Sequence, residues 1–106
     1  MGQTGKLPDA VEHFEWALRS KPDDAQVHGN LGIALAQLGR MPEAMRHWEQ
    51  ALHLKPDWAE VHYDLGLALE HTGKIEEAIE QFRLALKFDP KMIDAQNELA
   101  RIQSAR

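Results

Sequence analysis

The chain has 106 residues, 12 Lys and Arg against 17 Asp and Glu, a formal net charge of -5 and no cysteine. Its hydrophobic share of 43% and charged share of 27% belong to a folded chain and not to a disordered tail, and the length suits one compact unit. The missing cysteine excludes a disulfide framework, cysteine-ligated zinc and a thiol nucleophile. The excess of acid argues against a generic binder of nucleic-acid phosphates, and no apolar run approaches the roughly 20 residues that cross a bilayer.

Taken in chain order, the predicted elements are all helices. Residues 7–21 place Leu7, Val11, Phe14 and Leu18 on one stripe, the i, i+4, i+7 spacing of a buried helix face. Residues 24–38 follow with Val27, Leu31, Ala34, Leu35 and Leu38, and residues 42–54 with Ala44, Met45, Trp48, Ala51 and Leu52. Residues 58–72 and 75–88 repeat that pair, and residues 92–105 end the series alone. Gly39 stands where a helix must stop, at a left-handed position that glycine occupies cheaply. Pro42 stands at a helix start, where its missing N–H costs nothing. Asp23 with Gln26, and Asp57 with Glu60, have the spacing of capping boxes.

The pairs are copies. Pro22, Pro56 and Pro90 are 34 residues apart, and residues 25–58 laid over 59–92 match at His28/His62, Leu31/Leu65, Gly32/Gly66, Ala44/Ala78, Ala51/Ala85 and several further places. The register continues upstream through Gly5, Ala10, Phe14 and Ala17, and downstream through Ile93, Ala95, Leu99 and Ala100. Self-similarity at this period marks a stack of supersecondary units.

The unit resembles the tetratricopeptide repeat, whose pattern is W-x2-L-G-x2-Y, then A-x3-F, then A and P. The first full unit has His28-x2-Leu31-Gly32-x2-Leu35, Ala44-x3-Trp48, Ala51 and Pro56; the second has His62-x2-Leu65-Gly66-x2-Leu69, Ala78-x3-Phe82, Ala85 and Pro90. His stands for the family's Trp and Leu for its Tyr in both. The resemblance implies an all-α superhelix of about six helices forming one domain over 1–106: a partial repeat at 1–24 with its second helix at 7–21, full repeats at 25–58 and 59–92, and a capping helix at 93–106. Residues 1–3 are then the tail of an absent first helix. Polar Asp94, Asn97, Glu98, Arg101, Gln103 and Arg106 suit the last helix to a solvating cap. Leu7, Val11, Phe14 and Leu18 should lack a partner, which implies a fragment of a longer array or a homodimer through the first helix.

In proteins of this kind the faces of the first helices opposite their apolar stripes line a groove that holds a peptide or a partner helix. Carried over, those places are Gln26, Gly29, Asn30, Ile33, Ala36 and Gln37, then Glu60, Tyr63, Asp64, Leu67, Glu70 and His71, then Asp94, Asn97, Glu98 and Arg101. The co-chaperone branch grips a C-terminal carboxylate with Lys, Asn and Arg at places held here by Gly29, Ile33, Asp64, Asp94 and Glu98. The sign is reversed, so the expected partner is a basic or mixed-charge protein or peptide, with neither nucleic acid nor membrane involved. The bland alternative is that these acids only keep the surface soluble. An O-glycosyltransferase branch carries Asn where Asn30 stands, but Asp64 and Glu98 replace it in the following units; that likeness raises the arm of a multidomain transferase as a further alternative.

No catalytic, cofactor or metal site is expected. His28 and His62 sit on successive first helices, whose axes stand about 8–10 Å apart, too far for two ligands of one zinc at roughly 2.0–2.1 Å each; they are expected to be packing residues. His47 and His53, six apart, face different ways, and Ser20 and Ser104 have no paired base. Glu76, Glu77 and Glu80 fit a solvated face. Trp48 and Phe82 are expected as core wedges and Trp58 as a packing residue between units, while Trp16 has no assigned place. Cytoplasm is the default location.

Overall fold

The computed structural model describes residues 2–105, and their side chains from residue 6 onward; Met1 and Arg106 lie outside the described residues. Six helices follow one another: α1 (Gly2–Ser20), α2 (Ala25–Gln37), α3 (Met41–Leu54), α4 (Ala59–His71), α5 (Ile75–Phe88) and α6 (Ile93–Ala105). No strand occurs among the described residues, and no helix among them is long and apolar enough to cross a membrane. Two compact units result, Met1–Pro56 and Asp57–Arg106. In the first, α2 packs on α1 and α3; in the second, α5 packs on α4 and α6.

Each unit is centred on one hairpin, α2–α3 or α4–α5, and both turn in the same way. Gly39 and Gly73 adopt φ of 81° and 86°, the left-handed region where a side chain is strained. Arg40 N–H then reaches Leu35 O at 2.8 Å and Gly39 N–H reaches Ala36 O at 3.0 Å; Lys74 and Gly73 repeat both bonds to Leu69 O and Glu70 O. This is the Schellman arrangement, which satisfies carbonyls that a helix end leaves free. Pro42 falls in the first turn of α3, as its lack of an N–H permits.

Inside the hairpins an aromatic ring packs against a glycine. A Cβ at Gly32 would fall 2.4 Å from Trp48 Nε1, and one at Gly66 would fall 2.7 Å from Phe82 Cε1. Ala44, Ala51, Ala78, Ala85 and Phe82 are 0% exposed and Trp48 4%, and the indole N–H donates to Gly29 O at 3.2 Å. The expected wedges are therefore in place.

His28 and His62 are buried as expected, but their partners come from the second helices, which the sequence did not indicate. His28 Nε2 lies 2.8 Å from Pro22 O, which only accepts, so Nε2 carries the hydrogen. Its Nδ1 is then the acceptor for His47 Nδ1–H at 3.0 Å, with the rings stacked at 5.3 Å. In the second unit His62 Nδ1–H donates to Gln81 Oε1 at 2.8 Å, and its ring stacks on Phe88. Both contacts span 19 residues.

Three expectations need correction. The first helix begins at Gly2 instead of residue 7, and Gly5 and Pro8 lie inside it. The N-caps fall one residue later than the proposed boxes. Asp24, not Asp23, accepts from Val27 N–H at 3.2 Å, and Trp58, with no side-chain cap bond, stands where Asp57 was expected. Third, Val11, one of the four residues expected to lack a partner, is buried; Leu7, Phe14 and Leu18 are half-buried, and α2 is the helix that packs on α1.

Two outcomes follow from this packing. Gly66→Ala should destabilise the chain by about 1–3 kcal/mol, since a fully buried Phe82 ring has no room to withdraw; urea denaturation measures it. His47 lies below the ordinary value of 6.5, first through burial and then through His28, with Arg46 adding to the depression and Glu15 and Glu43 opposing it. The unfolded chain therefore binds the proton first, so this stabilisation is complete above the ordinary value and is lost as pH falls below it. His47→Gln, which installs the residue that Gln81 provides in the second unit, should flatten the fall of melting temperature between about pH 7 and pH 5.

Candidate functional site

The surface proposed from the sequence is distributed over both units. In the first, α2 turns Gln26, Ile33 and Gln37 outward and leaves Asn30 half-buried; Gln26 Nε2 donates to Asn30 Oδ1 at 3.5 Å. Ile33 is 40% exposed, an apolar side chain presented to solvent. Gly29, by contrast, is buried under the indole of Trp48 and offers nothing to a ligand.

In the second unit α4 and α6 bring most of the remaining candidates together. Tyr63 is half-buried, with its ring tilted on Phe82 at 5.8 Å between centroids. Burial, then the carboxylates of Asp94, Glu98, Asp64 and Glu70, push its phenol above the ordinary value. Asp64, half-buried one residue on, has its carboxyl raised to about 6 by burial and then by Glu60. Leu67 is half-buried on the same helix, whereas Glu60 and His71 are exposed, as are Asp94 and Asn97 on α6.

Arg101 was the cation expected on this surface, and it is engaged. Its Nε donates to Glu98 Oε1 at 3.1 Å, and its Nη2 bonds both that carboxylate and Glu70 on α4. One guanidinium thus bridges the two helices and offsets two carboxylates. Glu60, Asp64 and Asp94 keep the surface acidic.

Trp16, which the sequence left unplaced, is 66% exposed and lines a hollow with Asp9, Glu12, His13, Glu15 and Arg19. Among the described residues no group of three or more His, Asp or Glu is gathered to hold a metal ion.

Asp64 carries a consequence for stability. Its folded carboxyl titrates at about 6 against an ordinary 3.8, so the folded chain holds the proton longer than the unfolded one. Stability therefore falls as pH rises through that window, and the cost is complete above it. Asp64→Asn should raise the melting temperature at about pH 8 and give no gain at about pH 4.

Sequence models of the family described as tetratricopeptide repeat match residues 2–57 and residues 59–92. No curated protein matches the chain. Among solved structures, the first TPR of Spaghetti (RPAP3), bound to the HSP90 peptide SRMEEVD, superposes with a TM-score of 0.89 at 23% identity, over 97% of this chain and 82% of that one. MamA superposes with a TM-score of 0.85 at 24% identity, over 92% of this chain and 53% of its own. This chain thus spans little more than half of the MamA chain, and at such identities the likeness is one of fold.

Proposed function

This chain belongs to the tetratricopeptide repeat family, and on that premise we propose that it is a non-catalytic protein-interaction module whose α4–α6 surface takes a basic or mixed-charge peptide or partner helix. The observation that carries the proposal is the engagement of Arg101 by Glu70 and Glu98, which leaves Glu60, Asp64 and Asp94 as the charges offered to a ligand. Tyr63 and Leu67 lie among them and supply apolar area, at roughly 25 cal/mol per Å² covered. Acid placed around an apolar centre selects Lys and Arg and speeds encounter.

The structural neighbour bound to SRMEEVD holds a peptide with three acids. That chemistry does not carry over in this reading, since the positions where the co-chaperone branch places cations hold Gly29, Asp94 and Glu98 here, and Asp64 stands where that branch has Asn. On α2, Gln26, Asn30, Ile33 and Gln37 form a second contact strip in this reading, neutral and led by Ile33. His71 and Asn97 contribute hydrogen bonds at the edges of the α4–α6 surface.

Titration with a Lys/Arg-rich peptide, followed by heteronuclear NMR, should move the amides of Tyr63, Asp64 and Asn97. The affinity should fall with added salt and rise between about pH 5 and pH 7 as Asp64 ionises. An acidic peptide should leave the same amides in place. Equal shifts with both peptides, or shifts with neither, would remove the assignment.

A further inference from the structure

Arg101 stands on the α4–α6 surface at a place that the repeat elsewhere fills with an apolar side chain. Ile33, Leu67 and Arg101 are 34 residues apart, on α2, α4 and α6. The Arg101 side chain reaches across to α4, where its Nη2 bonds Glu70 as well as Glu98 of its own helix. This bridge is no part of the packing that the repeats share. One repeat earlier the places of Glu70, Glu98 and Arg101 hold Ala36, Asp64 and Leu67, which cannot form it.

Nor does α6 need the bridge to stay in place. Ala95 and Ile102 are 0% and 4% exposed, and α5 is the helix on which α6 packs. An ion pair open to solvent adds little to that. The partners in the bridge are also unequal. The Arg101 side chain is 56% exposed, against 18% for Glu70 and 24% for Glu98. The two carboxylates are thus largely covered, whereas the side chain that carries the cation remains open to water and leaves at small cost. While it stays, it spares the free chain the mutual repulsion of the two acids.

We propose that Arg101 is an internal competitor of the partner: in the free chain its guanidinium fills a seat between Glu70 and Glu98 that an arginine of the partner takes on binding. The inference rests on the reading of the α4–α6 surface as a ligand surface, and it names the residue that regulates that surface. The seat suits arginine better than lysine. Arg101 uses Nε and Nη2 together, with Nε at 3.1 Å from Glu98 Oε1, and a planar fork meets two carboxylates at once where an ammonium is a single point. Leu67 lies three residues before Glu70, on the same side of α4, so a segment resting on Tyr63 and Leu67 brings its arginine to this end of the surface. The competition sets a threshold. A partner with scattered charge leaves Arg101 where it is, and one whose arginine is in register with the apolar contact displaces it.

The probe is an arginine-bearing basic peptide titrated into the full chain, with the Arg101 Nε–H resonance followed by NMR and the affinity measured by calorimetry. At saturation that resonance should leave its bridged position; its loss in Arg101→Gln assigns it. Arg101→Gln should bind the peptide about two- to fivefold more tightly, the worth of an exposed ion pair that no longer has to be broken. Arg83→Gln, which removes the same charge from an exposed place on α5, should bring no such gain. Lysine in place of the peptide's arginine should weaken binding by a similar factor. An Arg101 Nε–H that stays unmoved while the peptide binds overturns the inference, and this readout on the unsubstituted chain decides by itself if Arg101→Gln fails to fold. Weaker or unchanged binding by folded Arg101→Gln, an equal gain in Arg83→Gln, or indifference to the lysine exchange also overturns it, and leaves the ligand surface standing. Binding by neither the unsubstituted chain nor Arg101→Gln removes that surface and this inference together, whereas binding by Arg101→Gln alone supports both.

Discussion

An aromatic ring packed against a bare glycine backbone sets the geometry on which the other contacts rest. Trp48 on Gly32 and Phe82 on Gly66 bring two helices closer than any side chain at the glycine allows, and that closeness fixes their rotation and register. With the ring seated, the residue four before the glycine meets the residue before the aromatic: His28 reaches His47, and His62 reaches Gln81. The polar contact is thus a consequence of the steric one. It also satisfies the imidazole nitrogens that burial would otherwise penalise, and among the described residues no buried side-chain polar atom is left without a partner.

The same constraint decides what each helix shows to the outside. Tyr63 lies at the boundary, its ring on Phe82 and its hydroxyl end among carboxylates. One residue on, Asp64 is half-buried, and that burial raises its carboxyl.

Much of this was legible in the sequence, and what was not has identifiable causes. The period shared by Pro22, Pro56 and Pro90, with small residues at Gly32, Ala44 and Ala51, gave away the hairpin because close helix approach admits few residue types. Gly39 marked a turn because a positive φ does the same. The caps were misjudged by one residue, since Asp23 and Asp24 are chemically equal as caps and only backbone angles choose between them. The His47 and Gln81 partners were missed because a contact 19 residues away depends on the rotation of two helices, which periodicity does not report. Arg101 was expected as the one cation of the groove, but whether a cation is free or engaged depends on where α6 sets it relative to Glu70.

The acidity of the α4–α6 surface has two competing explanations, solubility and the proposed binding of a basic partner, and they differ in what they ask of Asp64. A surface that needs only to stay soluble keeps its carboxylates apart and hydrated, where they titrate normally and cost nothing. Here Asp64 is half-buried beside Glu60, and Tyr63 carries the influence of four carboxylates. Ionising Asp64 near neutral pH therefore works against the stability of the second unit. Destabilising groups of this sort gather where a protein meets its ligand, because the ligand supplies what the free surface lacks. A cation brought by a partner would lower the Asp64 carboxyl back toward its ordinary range and recover the cost as binding energy. Arg101 does not do this from within, being held by Glu98 and Glu70, so in the proposed function the charge that completes the surface arrives with the partner.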